Sequence, residues 1–137
     1  MGAAGHVDEL RQPRIKLTVK GNRKAISIKP VIDTGFDGYL SLPVAIAISL
    51  GLELNGQVSV EFADGSKKRE LTFLGTVIWQ DREYDIDIFL TESEDALIGS
   101  SLLQGLKLII GYANHFVTIE PDIVTKRGKS KKRKSKK

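Results

Sequence analysis

Val31-Ile32-Asp33-Thr34-Gly35-Phe36-Asp37-Gly38 is the stretch that decides the reading of this chain. Two apolar, strand-favouring residues lead directly into a carboxylate. A threonine and a glycine follow at once. A carboxylate at the end of a strand, in a glycine-containing turn, is held rigidly and close to backbone donors. The Thr34 hydroxyl can fix such a turn through a local hydrogen bond. Gly35, with no Cβ, permits close approach of another backbone.

Working outward, the segment before Asp33 has strand periodicity. Ile15, Leu17 and Val19 alternate with Lys16, Thr18 and Lys20. Gly21-Asn22 supplies turn chemistry. Ala25, Ile26, Ile28, Val31 and Ile32 form the returning run, so a β-hairpin delivers the chain to Asp33. Residues 1–13 are small, polar and aperiodic and read as a loose or partly ordered arm.

After the turn, Pro43 suits a helix start. Val44 to Leu50 contains no breaker, and Gly51 can close a short helix in a left-handed cap. Val58 and Val60 begin a strand that runs into Ala63-Asp64-Gly65-Ser66, a hairpin turn by its Asp-Gly. Leu71, Phe73 and the run to Trp79 form the return, Asp81-Arg82 a further turn, and Tyr84, Ile86 and Ile88 the next strand. Asp85 and Asp87 lie on its opposite face, where solvation explains them better than a cation does. Ala96-Leu97-Ile98-Gly99 precedes a short helix through Leu102 and Leu103, capped by Ser100 and stopped by Gly105. Leu106 to Ile110 and Phe116 to Ile119 are the last strands, and His115 reads as a structural residue of the second. Trp79 reads as a core or interface residue rather than a substrate platform. Many short strands with two short helices indicate a mainly β, barrel-like or sandwich-like domain.

The order of these features resembles the retropepsin family of aspartic proteases, in particular its single-domain bacterial and archaeal members with Asp-Thr-Gly-Phe. The resemblance spans Ile15 to Ile119. It implies a closed barrel of the acid protease type with one or two short helices, occupying residues 14–122. It implies that Asp33 is catalytic and that Thr34 and Gly35 form the active-site turn and dimer lock. Phe36 and Asp37 would meet substrate, together with a flap tip at Ala63, Asp64, Gly65 and Ser66. Ile98 and Gly99 would support the loop from beneath.

This sequence departs from the retroviral pattern at several points. Phe36 replaces a small residue, Ser100 stands where an arginine is usual, and the flap tip is not glycine-rich. The Val44–Leu50 helix is longer than its retroviral counterpart. Substrate preference is therefore not carried over. Asp-Thr-Gly occurs once, whereas the chemistry needs two carboxylates, so the resemblance implies a homodimer acting on a peptide or protein substrate. The alternative is a non-catalytic module of the same fold that dimerises or binds peptides.

Composition bounds the rest. Apolar residues are 41% of the chain, enough for a real core in one domain. There is no cysteine, and only His6 and His115 supply imidazole, so neither a disulfide nor a thiolate or histidine-rich metal site is expected. No cofactor is expected. A phosphoryl-transfer reading of Asp33 fails, because Gly35 occupies the obvious place for a second carboxylate toward Mg²⁺. No apolar run reaches the roughly 18 residues of a membrane helix. The first ten residues lack a basic stretch followed by an apolar one, and the expectation is a cytoplasmic protein. Nine of the 21 basic residues fall in 126–137, from Lys126 to the final Lys137, which leaves 12 against 17 acidic residues, a net of −5. Residues 123–137 therefore read as a separate, disordered basic tail, a solubilising appendage or a weak contact for nucleic acid.

Overall fold

The computed structural model describes residues 2–124. The basic tail expected from the sequence lies almost wholly outside the described residues.

Among the described residues, twelve strands and one α-helix follow one another. The strands before the helix are β1 (Ala3–Val7), β2 (Pro13–Ile15), β3 (Leu17–Lys20), β4 (Ala25–Ile28), β5 (Val31–Ile32) and β6 (Leu40–Pro43). Helix α1 (Val44–Leu50) comes next. After it run β7 (Glu53–Glu61), β8 (Lys67–Trp79), β9 (Arg82–Thr91), β10 (Leu97–Ile98), a 3₁₀ turn (Ser100–Leu103), β11 (Leu106–Gly111) and β12 (Phe116–Pro121). Alternation sets the faces: Leu17 and Val19 of β3, Val77 and Trp79 of β8, and Ile86 and Ile88 of β9 turn inward. They meet Ile15, Leu40, Leu42, Leu50, Ile98, Val117 and Ile119 in one core. Trp79 is buried as expected, its indole N–H donating to the Leu102 carbonyl at 3.0 Å.

All strands join one sheet, in the order β11-β12-β1-β2-β5-β10-β6-β9-β8-β3-β4, with β7 branching from β8. The expected closed barrel is thus corrected: the path is open. Closure needs the terminal strands to pair, but β11 pairs only with β12, and β4 only with β3, among the described residues. Most neighbours are antiparallel. The exceptions are β10 against β5 and β6 against β9.

Several local expectations change. Ala3–Val7 of the expected arm is a full strand between β2 and β12. Gly5 allows this tight approach, since a Cβ there would stand 2.0 Å from the Arg14 carbonyl oxygen. The run expected to continue from Ala25 to Ile32 breaks at Lys29-Pro30, because proline has no N–H for the ladder. The turn expected at Asp81-Arg82 falls one residue earlier: Gln80 and Asp81 have φ of 53° and 65°, and Trp79 pairs with Arg82. Ser100 does not cap the 3₁₀ turn, whose cap position is Gly99 without a side-chain bond. His115 stands in the β11–β12 turn with φ of 57°, not in a strand. Helix α1 forms as expected and ends at Gly51 in the left-handed conformation (φ 74°, ψ 46°).

Candidate active site

Asp33 follows β5 directly. The two residues of β5 pair in parallel with Leu97 and Ile98, and β10 pairs on its other side with Ser41 and Leu40 of β6. A two-residue strand has little intrinsic stability. Here it is inserted between others over the core, with Val31 and Ile32 both buried. The ladder continues into the loop. The Asp33 N–H donates to the Ile98 carbonyl at 2.8 Å, so the first residue of the turn is fixed by the apolar segment beneath it.

The turn then closes on itself. Asp33 Oδ1 accepts the Gly35 N–H at 2.9 Å, and the Asp33 carbonyl accepts the Phe36 N–H at 3.1 Å. One carboxylate oxygen is thereby engaged by the backbone. Asp33 is half-buried, while Thr34, Gly35 and Asp37 are exposed.

Residues 98–101 clamp the far side of the loop. Gly99 N–H donates to the Tyr39 carbonyl at 3.1 Å, Ser100 N–H to Phe36 at 2.8 Å, and Ser101 N–H to Gly38 at 3.2 Å. The Ser101 hydroxyl donates to the Asp37 carbonyl at 2.6 Å. Glycine is required at position 99, since a Cβ would stand 2.1 Å from the Gly38 carbonyl oxygen and 2.6 Å from that of Phe36. Phe36 packs edge-on against Phe89, with ring centroids 6.0 Å apart and planes at 72°. Its ring also fills the space a side chain at Gly38 or Gly99 would need.

Asp33, Thr34, Ile98 and Gly99 are therefore brought together, and Phe36 joins them as a packing residue. The Asp37 side chain points to no described partner; its carbonyl is what the clamp holds. Ala63, Asp64, Gly65 and Ser66 form the exposed tip of the β7–β8 hairpin. Its hydrogen bonds stay within the turn: Phe62 N–H to Ser66, Gly65 N–H to Phe62, and both Ser66 donors to Asp64 Oδ1. The Ser66 hydroxyl, and then its N–H, hold the Asp64 carboxyl below its usual range.

Asp33 and Thr34 line a cavity of about 400 Å³ with Gln12, Leu97, Leu108 and Tyr112. Gln12 Oε1 is buried without a partner. Outside Gly35 the surface is open: a Cβ there meets only Asp33 Oδ1, at 3.3 Å. Sequence reasoning missed Ser101 and Arg14. Arg14 donates to Asp8 at 2.7 Å and to Asp95 at 2.9 Å, joining the N-terminal segment to the approach of β10. Asp8 raises the Arg14 pKa most, with Asp95 adding to it.

Among solved structures, the chain is similar to a retropepsin-like aspartic protease from Rickettsia conorii. The TM-score is 0.59 at 17% identity, over 87% of this chain and 90% of that one. It is also similar to the EIAV protease complexed with the inhibitor HBY-793, at a TM-score of 0.55 and 17% identity, over 75% and 97%. The fold is retropepsin-like. No family model and no curated protein matches the sequence.

In this retropepsin-like fold the β5 and β10 pair, with the loop after each, is the most tightly cross-bonded part of the site. No described helix is long and apolar enough to cross a membrane.

Proposed function

We propose that the chain is a homodimeric aspartic endopeptidase in which two copies of Asp33, one from each subunit, activate a water for peptide hydrolysis. One observation supports this above others: Asp33 is held by backbone hydrogen bonds in its loop, yet its turn is open on the side of Thr34 and Gly35. The similarity in fold to aspartic proteases agrees with it.

The chemistry requires a pair. Two carboxylates about 3 Å apart cannot both ionise comfortably, so they share one proton. The ionised member takes a proton from the attacking water. The protonated member donates to the oxygen of the scissile carbonyl. The pair titrates as a unit. A chain with one Asp-Thr-Gly reaches this arrangement only on a twofold axis beside Asp33.

The surface around the loop suits that axis. Tyr112, 55% exposed, lines the cavity beside Asp33 together with Leu108 and Ile110. A second copy covering this region would bury them. In this reading Thr34 bonds across the axis and Gly35 lines the groove. Asp37 and the 63–66 tip meet the substrate, the tip acting as a flap. The expected site of action is the cytoplasm.

The test is cleavage of casein across acidic to neutral pH by wild type and by Asp33→Asn, with the mass in solution measured by light scattering. Cleavage by a wild-type dimer that disappears in Asp33→Asn supports the reading. Equal cleavage by the variant overturns it. A folded dimer without cleavage favours the non-catalytic, peptide-binding alternative.

A further inference from the structure

The bonds that tie the Asp33 loop to residues 98–101 are of two kinds. At Asp33, Phe36, Gly38 and Tyr39 they run from backbone to backbone. Any residue except proline supplies the groups they need, so they depend little on which side chains stand there. The bond at Asp37 is different. Its carbonyl accepts the Ser101 hydroxyl at 2.6 Å, across 64 positions of sequence. That length is ordinary for an O–H donor. Here the identity of a side chain, and not the backbone alone, decides whether the loop is held.

Ser101 grips two successive carbonyls. Its hydroxyl takes that of Asp37, and its N–H takes that of Gly38 at 3.2 Å. Gly38 is the residue at which the backbone has most freedom to turn. Two bonds from one donor residue on either side of it fix the peptide between positions 37 and 38. The Asp37 side chain is exposed and has no described partner. A side chain without a partner takes its direction from its own backbone. The direction of the Asp37 carboxylate is thus set through Ser101.

Asp33 is held independently. Its N–H donates to the Ile98 carbonyl, its carbonyl accepts the Phe36 N–H, and its Oδ1 accepts the Gly35 N–H. None of these bonds involves Ser101. The loop therefore has two ends with separate supports, one at Asp33 and one at Asp37.

We propose that Ser101 is a positioning residue for substrate: its hydroxyl aims the Asp37 carboxylate into the groove and takes no part in activating water at Asp33. This rests on the endopeptidase reading above, and it assigns substrate affinity and chemistry to opposite ends of one loop.

The experiment is steady-state cleavage of one peptide, taken from the casein sites that wild type cuts, by wild type, Ser101→Ala, Ser101→Thr, Asp37→Asn and the Ser101→Ala/Asp37→Asn double variant. Ser101→Ala should raise KM about ten-fold, the loss of one positioned bond, with kcat within about two-fold of wild type. Ser101→Thr keeps a hydroxyl and should restore KM. Asp37→Asn should raise KM by a similar factor, and the double variant should add less than about two-fold to it, because both changes break one connection. A merely structural role would instead lower the folded, active fraction, and so kcat, at unchanged KM. The proposal is overturned by an unchanged KM in Ser101→Ala, by no rescue in Ser101→Thr, or by multiplying effects in the double variant. Each of these leaves the endopeptidase reading intact, whereas absence of cleavage by wild type overturns both.

Discussion

Gly35 and Gly99 belong to the same small site but face opposite surroundings, and substitutions there separate folding from function. At Gly99 an added methyl collides with the carbonyl oxygens of Gly38 and Phe36, which are backbone and cannot swing aside. Gly99→Ala should lower stability by about 1–3 kcal/mol in a denaturant titration, the usual cost of overpacking. At Gly35 an added methyl meets only Asp33 Oδ1. Gly35→Ala should keep wild-type stability to within about 0.5 kcal/mol, as an unopposed surface change does. Under the proposed dimer it should still lose most cleavage, because the partner and the substrate approach on that side. The same scale shows what was legible in sequence. Asp33-Thr34-Gly35 and Ile98-Gly99 announce themselves by local pattern. Ser101 and Arg14 do not, because what they bind is distant: the Arg14–Asp95 bond spans 81 positions. The turn at Gln80-Asp81 was read one residue late, because glutamine does not signal the left-handed backbone it adopts there.

Among the elements, those with strong local signals were legible and those made by pairing were not. Helix α1 is bounded by Pro43 and Gly51, and the β3–β4 and β7–β8 hairpins by their turn residues. Strand β1 carries small residues with no period, so it read as an arm. It becomes a strand because β2 and β12 supply partners on both sides. Its connection to β2 is organised by Asp8, whose carboxylate accepts the Leu10 and Gln12 N–H groups at 2.9 Å and Arg14 Nε at 2.7 Å. The Arg14 bond, and then the Gln12 N–H, lower the Asp8 pKa. A folded pKa below the unfolded one gives stability that is present above the unfolded value, about pH 3.9, and lost as pH falls through the folded value. Melting temperature should therefore drop on acidification below about pH 4, and Asp8→Asn should flatten that part of the profile while lowering the neutral plateau. A variant whose acid limb matches wild type would show that the Asp8 network does not contribute.

For the whole molecule, the mainly β class was legible from strand spacing, but the closed barrel was not correct. Patterning reports which residues of each strand face the core. It does not report whether the first and last strands of the path meet, and among the described residues β11 and β4 remain edges. Tyr112, exposed beside one of these edges, lies on the face proposed above for the second copy. Tyr112 is exposed enough for Tyr112→Lys to leave the subunit folded. That variant should weaken dimerisation at least about ten-fold in sedimentation analysis, since burying an unpaired ammonium in an interface is strongly unfavourable. An unchanged dimer would move the interface elsewhere.

The central claim is that one working site needs Asp33 from both subunits. Mixing tests it most directly: wild type and Asp33→Asn are combined at fixed total concentration, allowed to exchange subunits, and assayed for cleavage across the range of ratios. If the pair is shared, only wild-type homodimers cut, and an equal mixture keeps about one quarter of the wild-type rate, following the square of the wild-type fraction. A linear fall, with half the rate in the equal mixture, would mean that each subunit acts alone and would contradict the shared pair.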